Sequence, residues 1–494
     1  MGPRHQVIFE DSDEHIDALT LAVRSHYRCP KEFLNFCLAG DLSRSAGFFQ
    51  FGSNTFCYGR VLEGEHRAKS NSCCSDIFLK ASAHSSQVVL PFDPNEVIDN
   101  LRLERYPHSQ MTKYERLLKS VYYYLRPFTN QSIRICVQKL RASRGQAREF
   151  PHWPVDTSVE DICERLLLLA IKAKGLDSIP FVWFWPNGAR GCVAMTHDVE
   201  TALGRDFSGR LMDLDDSFGI KASFQIVPEE RYTVTHGYLQ DLRARGFEVC
   251  VQDMNHDGRL FDNYAEFERR VAKINRYARE YGAKGFRAAV LYRNLDWFQD
   301  LDFSFDMTVP NVAHMDPQRG GCCTVMPYFI GDVLELPVTT MQDYTLFHIL
   351  NERCIEPWKI QLERILAKNG MAMFIVHPDY IVEPETQTVY KALLDTLRDM
   401  RKHDSVWFAL PSEIDTWWRA RSRMSVVQEG GSWRIVGEGS ERAVLAFARI
   451  VDGQLVYDLS GTSNQELQLC SVDNSHRRID GSVAKPSETN WRLS

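Results

Sequence analysis

Two carboxylates stand one residue apart at the end of an apolar run, in Met195-Thr196-His197-Asp198-Val199-Glu200. On a strand, positions i and i+2 lie on one face, so Asp198 and Glu200 are neighbours. Burying such a pair costs free energy unless a cation or a function offsets it. A second apolar run, Phe247-Glu248-Val249-Cys250-Val251, leads into Gln252-Asp253-Met254-Asn255-His256-Asp257. A carboxylate pair at one strand end and a histidine just past a later one are the residue types of a metal-assisted hydrolase site.

Five segments extend this pattern. Thr196-His197-Asp198-Val199-Glu200, Asn255-His256-Asp257-Gly258-Arg259-Leu260-Phe261, Gly285-Phe286-Arg287, Leu334-Glu335-Leu336-Pro337 and Ile375-Val376-His377-Pro378-Asp379-Tyr380 resemble, in this order, the polysaccharide deacetylases, the NodB-homology carbohydrate esterases. The resemblance spans residues 191–418. It implies an α/β fold, a distorted (β/α)7 barrel, and metal-dependent removal of N-acetyl groups from a carbohydrate. It also implies roles: Asp198 as base, Arg287 as the group that keeps the base ionised, His377 as acid, Glu200 and His256 as metal ligands with Gln252 at a third ligand position, and Glu335 and Tyr292 beside the substrate. Amide hydrolysis asks for such groups in its own right, because a water must lose a proton and the leaving amine must gain one.

Three departures bear on that chemistry. Where the family carries a histidine four residues before His256, this chain has Gln252, a neutral amide and a poor zinc ligand. Val199 separates carboxylates that are adjacent in the common motif. Arg287 is followed by Ala288-Ala289 rather than a proline. The implied cofactor is a divalent metal, zinc first with nickel or cobalt as alternatives, bound weakly or not at all because of Gln252. A second reading follows from the same residue: a barrel without catalysis that binds a carbohydrate or a protein partner.

The elements that must position these groups alternate regularly. Apolar runs at 191–196, 220–227, 247–252, 285–291, 303–309, 332–338, 371–376 and 405–410 are separated by helical patterns such as Gly237 to Arg245, Tyr264 to Tyr281 and Pro357 to Lys368. Such alternation predicts a parallel sheet, and seven or eight strands predict a closed barrel with its chemistry at the C-terminal strand ends. Outside this region the boundaries read as an α+β N-terminal region at 1–110, a helical connector at 111–190, the barrel at 191–425, and a small β-rich extension with a polar tail at 426–494. Helices are predicted at His15 to His26, Tyr114 to Ala142 and Asp161 to Lys174. The aromatic run Phe181-Val182-Trp183-Phe184-Trp185 is read as core filling rather than sugar stacking.

Composition excludes other classes. A net charge of −7 leaves no basic footprint for nucleic acid, and Arg134 to Arg148 reads as a solvated helix face. No apolar run reaches the roughly eighteen residues of a membrane span, and the N-terminus shows no secretory leader, so a cytoplasmic protein is expected. The 13 cysteines include no C-x-x-C pair and read as buried thiols rather than a disulfide framework. The expected partner is an N-acetylated sugar or glycan; nothing in the sequence sets the oligomeric state.

Overall fold

The computed structural model describes residues 18–459, apart from residues 66, 71–73, 85, 108–149, 314 and 404. The helix expected at Tyr114 to Ala142 and the polar tail lie outside the described residues. Residues 192–408 build a nine-stranded sheet: β1 (Cys192–Val199), β2 (Ala222–Ile226), β3 (Glu248–Gln252), β4 (Gly285–Arg287), β5 (Phe305–Asp306), β6 (Tyr328–Ile330), β7 (Val333–Glu335), β8 (Met371–Val376) and β9 (Trp407–Phe408). Its order is β6-β7-β5-β4-β3-β2-β1-β8, with β9 paired to the first residues of β1. All pairings are parallel except β6 with β7. Every residue of β1 and β8 is buried, as parallel strands covered on both faces require.

The sheet is open and strongly curled rather than a closed ladder. Met371 N of β8 donates to Val325 O, just before β6, and the segment after β7 reaches β8 through side chains: Thr339 Oγ1 donates to Met371 O and accepts from Met373 N, and Thr340 Oγ1 donates to Met373 O. Around the sheet lie α1 (Ala202–Ser217), α2 (His236–Ala244), α3 (Tyr264–Tyr281), α4 (Glu356–Ala367), α5 (Pro384–His403) and α6 (Pro411–Arg423). Their starts are local chemistry: Thr201, Thr235 and Asn263 each accept a backbone N–H of the first turn of α1, α2 and α3. α3 buries Phe267, Val271, Ile274 and Ala278, one stripe at helical spacing.

The flanking regions join the same body. Helix Ser158–Lys174 buries Val159, Ile162, Cys163, Leu166 and Leu167. Strand Ile179–Val182 pairs with Leu445–Val451, which pairs in turn with Gln454–Leu459, so the β-rich extension is stitched to the connector. The aromatic run fills core: Trp183 and Trp185 are buried and their indole N–H groups donate to Ala189 O and Asn369 O. The N-terminal region and the connector also grip the loops at the C-terminal strand ends, where Arg293 Nε donates to Glu104 Oε2 at 2.6 Å and Asp156 N donates to Asn311 Oδ1 at 2.8 Å. The helix expected from His15 begins at Leu21, after one 3-10 turn at Ala18–Thr20. The ten cysteines of the described residues form no disulfide, and no helix among these residues is long and apolar enough to cross a membrane.

Glu160, near the start of helix Ser158–Lys174, is fully buried; Thr324 Oγ1 and Val325 N donate to its Oε1, and its Oε2 has no partner among the described residues. Burial pushes its carboxyl up to about 7, with the Thr324 hydrogen bond opposing. The fold therefore holds this proton to higher pH than the unfolded chain does, and the stability it contributes is present below about pH 4.3 and lost as pH rises to about 7. Glu160→Gln keeps the acceptor oxygen and removes the charge. It should raise stability by about 2–3 kcal/mol at pH 8 and change it little at pH 4, as thermal unfolding at the two pH values will show; equal effects at both would contradict the assignment.

Candidate active site

The end of β1 carries the two carboxylates to the C-terminal edge of the sheet, and register brings the others to them. Arg287, the last residue of β4, is paired with Gln252, the last of β3. Arg287 is completely buried and every arm of its guanidinium is used: Nε donates to Met307 O at 2.9 Å, NH1 to Thr196 Oγ1 at 2.8 Å and to Asp198 Oδ1, and NH2 lies 3.6 Å from Met373 Sδ. Leaving Asp198 without this partner would cost about 3–5 kcal/mol, the usual penalty for breaking a buried pair. The other oxygen, Asp198 Oδ2, accepts from Gln252 Nε2 at 3.0 Å.

Glu200 is the meeting point of the remaining groups. His256 Nε2 lies 2.8 Å from Glu200 Oε1, and His377 Nε2 and Gln252 Nε2 lie 3.4 Å from the same oxygen. Burial pushes the Glu200 carboxyl up, but His256 and His377 beside it hold it well below the ordinary carboxylate range. His377 is fixed from behind by Asp343, whose Oδ1 is 2.6 Å from its Nδ1 and whose Oδ2 accepts its backbone N–H at 2.7 Å. Burial pulls His377 down, and the Asp343 and Glu200 carboxylates outweigh it, so the imidazole stands well above its ordinary range. Burial pushes nearby Asp379 up to about 6, with the charge of His377 opposing.

His256 has a second neighbour. The Arg231 guanidinium donates to Asn255 O at 3.2 Å and His256 O at 2.7 Å, and its NH2 lies 3.3 Å from His256 Nδ1. An arginine has only donors, so Nδ1 is an acceptor here and the ring proton belongs on Nε2, facing Glu200. Gln252 likewise turns its NH2 toward both carboxylates, and its Oε1, buried, has no hydrogen-bond partner among the described residues.

Asp198, Glu200 and His377 each present a ligand atom within 4.8 Å of the others, a group able to hold a metal ion. This is not the set expected from sequence, which joined Glu200 to His256 and Gln252. The structure brings all five residues together, but it presents the Gln252 amide to both carboxylates as an N–H donor, and His256 Nε2, 2.8 Å from Glu200 Oε1, makes no hydrogen bond among the described residues. Glu335, expected beside the substrate, is completely buried: its Oε1 accepts Val309 N at 2.9 Å, and burial together with the Asp306 carboxylate pushes it well above the ordinary range. It is a core group packed beside Asp306. Tyr292, the other residue expected at the substrate, is also buried, on the loop after β4. Sequence reasoning missed Asp343 and Arg231, which sit in loops with no periodic or motif signal. Around His377, three further rings cluster: Tyr380 lies 4.9 Å from His377, 5.7 Å from Tyr344 and 5.0 Å from His348.

Neither a protein-family model nor a curated protein sequence matches the chain. Among solved structures it is similar to a Mycobacterium smegmatis protein provisionally described as a polysaccharide deacetylase, at 18% identity and a TM-score of 0.40 over 50% of this chain and 96% of that one. It is similar to PuuE allantoinase at 14% identity and a TM-score of 0.38 over 48% and 92%. A family 4 acetyl xylan esterase from Clostridium thermocellum, solved with a cobalt ion, matches at 16% identity and a TM-score of 0.29 over 46% and 91%. By the order of its motifs the chain resembles the polysaccharide deacetylases.

Proposed function

We propose that the chain is a hydrolase of carbon–nitrogen bonds that removes N-acetyl groups from a sugar or glycan. One observation carries the reading: a buried carboxylate paired with a dedicated arginine lies within ligand distance of a histidine held by a dedicated aspartate. Base and acid are thus separately positioned in one buried site. Asp198 Oδ2 takes a proton from water as the water oxygen bonds to the amide carbon. His377 Nε2 gives a proton to the nitrogen as the carbon–nitrogen bond breaks, leaving acetate and a free amine. The acetylated-sugar part of the reading rests on the five ordered motifs.

The divalent metal of the sequence expectation, zinc first, fits this scheme poorly. A bound cation would polarise the carbonyl and the water. The trio that could hold it contains Asp198 and His377, the groups the reaction needs as base and acid, and a ligand atom engaged by a metal cannot also exchange the proton. No step above passes through a metal. The binding-only reading keeps one observation in its favour, the amide at position 252, which lies on the base itself.

Two outcomes test the proposal. Asp198→Asn should lower acetate release from N-acetylglucosamine oligomers by at least about a hundredfold, the low end of what general base catalysis contributes; unchanged release would remove Asp198 from the mechanism, and none from the wild type on any acetylated sugar would favour the binder. Asp343→Asn removes one of the two carboxylates that raise His377, so the alkaline limb of the pH–rate profile should move to lower pH. A limb that stays in place would show that another group is the acid.

A further inference from the structure

The neighbours of Glu200 are of the wrong chemical sense for a metal centre. A cation needs lone pairs pointing inward, and a ligating histidine ordinarily donates its other ring N–H outward to an oxygen, which fixes that tautomer. His256 shows the reverse: its outer nitrogen, Nδ1, faces the Arg231 guanidinium at 3.3 Å. Gln252 could offer an oxygen only by a half-turn of its amide, and the turn would withdraw Nε2 from Asp198 Oδ2 and Glu200 Oε1 and set a second oxygen against both carboxylates. The one inward nitrogen still able to ligate is His377 Nε2, the atom assigned to proton donation.

We infer that this site holds no resident divalent cation: Arg287 and Gln252 meet its carboxylates with the chain's own N–H donors, and Arg231, at Nδ1, keeps the proton of His256 on the inward nitrogen, Nε2. The inference rests on the hydrolytic reading for its consequence, that amide hydrolysis here proceeds without a metal and polarisation of the substrate carbonyl falls to N–H donors. Glu200 is then an anchor for the donors rather than a ligand. Gln252 is what distinguishes such a site from a metal centre, and Arg231 reinforces it by fixing the tautomer of His256.

The full chain, dialysed against EDTA, is titrated with zinc alone by calorimetry, beside Gln252→His and the double variant Gln252→His, Arg231→Gln. The wild type should bind zinc more weakly than about 1 µM, Gln252→His at least about tenfold more tightly, and the double variant more tightly again, because Nδ1 of His256 is then free to donate. Wild-type binding of one zinc per chain below 1 µM, or no gain in either variant, overturns the inference whatever the activity. In parallel, acetate release from N-acetylglucosamine oligomers is followed in EDTA and with added zinc. Release that persists in EDTA and falls with zinc, as Asp198 and His377 are captured, supports the inference. Release lost in EDTA and restored by one equivalent of zinc refutes it and leaves the hydrolase reading intact. No release under either condition, with zinc binding still weak, refutes the hydrolase reading and leaves the cation-free site standing.

Discussion

Two carboxylates one residue apart at the end of one strand, Asp198 buried and Glu200 half-buried, set the terms for the rest of this site. A buried, uncompensated carboxylate is untenable at neutral pH, so the elements around β1 must supply donors. β4 supplies Arg287, whose guanidinium is spent on Asp198, Thr196 and Met307 and cannot move without leaving a buried anion. β3 supplies Gln252, which reaches both carboxylates. The loops after β3 and β8 supply His256 and His377, and both converge on one oxygen of Glu200.

This arrangement separates two protonation states within one cluster. Glu200 is held ionised by the histidines, and His377 is held protonated by Asp343 and Glu200. Deeper in the sheet the opposite holds: Asp306 and Glu335 are both buried with each other as neighbours, and burial raises both. At Glu200 the two imidazoles outweigh burial; at Asp306 and Glu335 burial outweighs the backbone N–H groups, the Thr308 hydroxyl and the charges of Arg287 and Arg293.

Much of the scaffold was legible in the sequence because its signals are local and periodic. The eight apolar runs all became strands, and the Tyr264–Tyr281 helix follows its stripe from end to end. β6 escaped notice because it is three residues long and antiparallel, folded back on β7. Asp198, Glu200, His256, Arg287 and His377 were legible as chemistry and do meet in space. Their orientation was not, since it depends on Asp343 and Arg231, loop residues fixed by tertiary packing. Glu335 was misread for a related reason: a carboxylate ending a strand looks functional in sequence, yet here it faces inward onto Asp306 and Val309. The integration of the flanking regions was also invisible, because strand Ile179–Val182 and its partner Leu445–Val451 lie far apart in the chain.

The direction of hydrogen bonding around Glu200 can be observed directly. Crystals grown in excess zinc and measured at the zinc edge should show no anomalous peak between Glu200, His256 and Gln252, with Gln252 Nε2 still within hydrogen-bond reach of Asp198. A fully occupied peak there, with His256 Nε2 and Gln252 Oε1 as ligands, would contradict it.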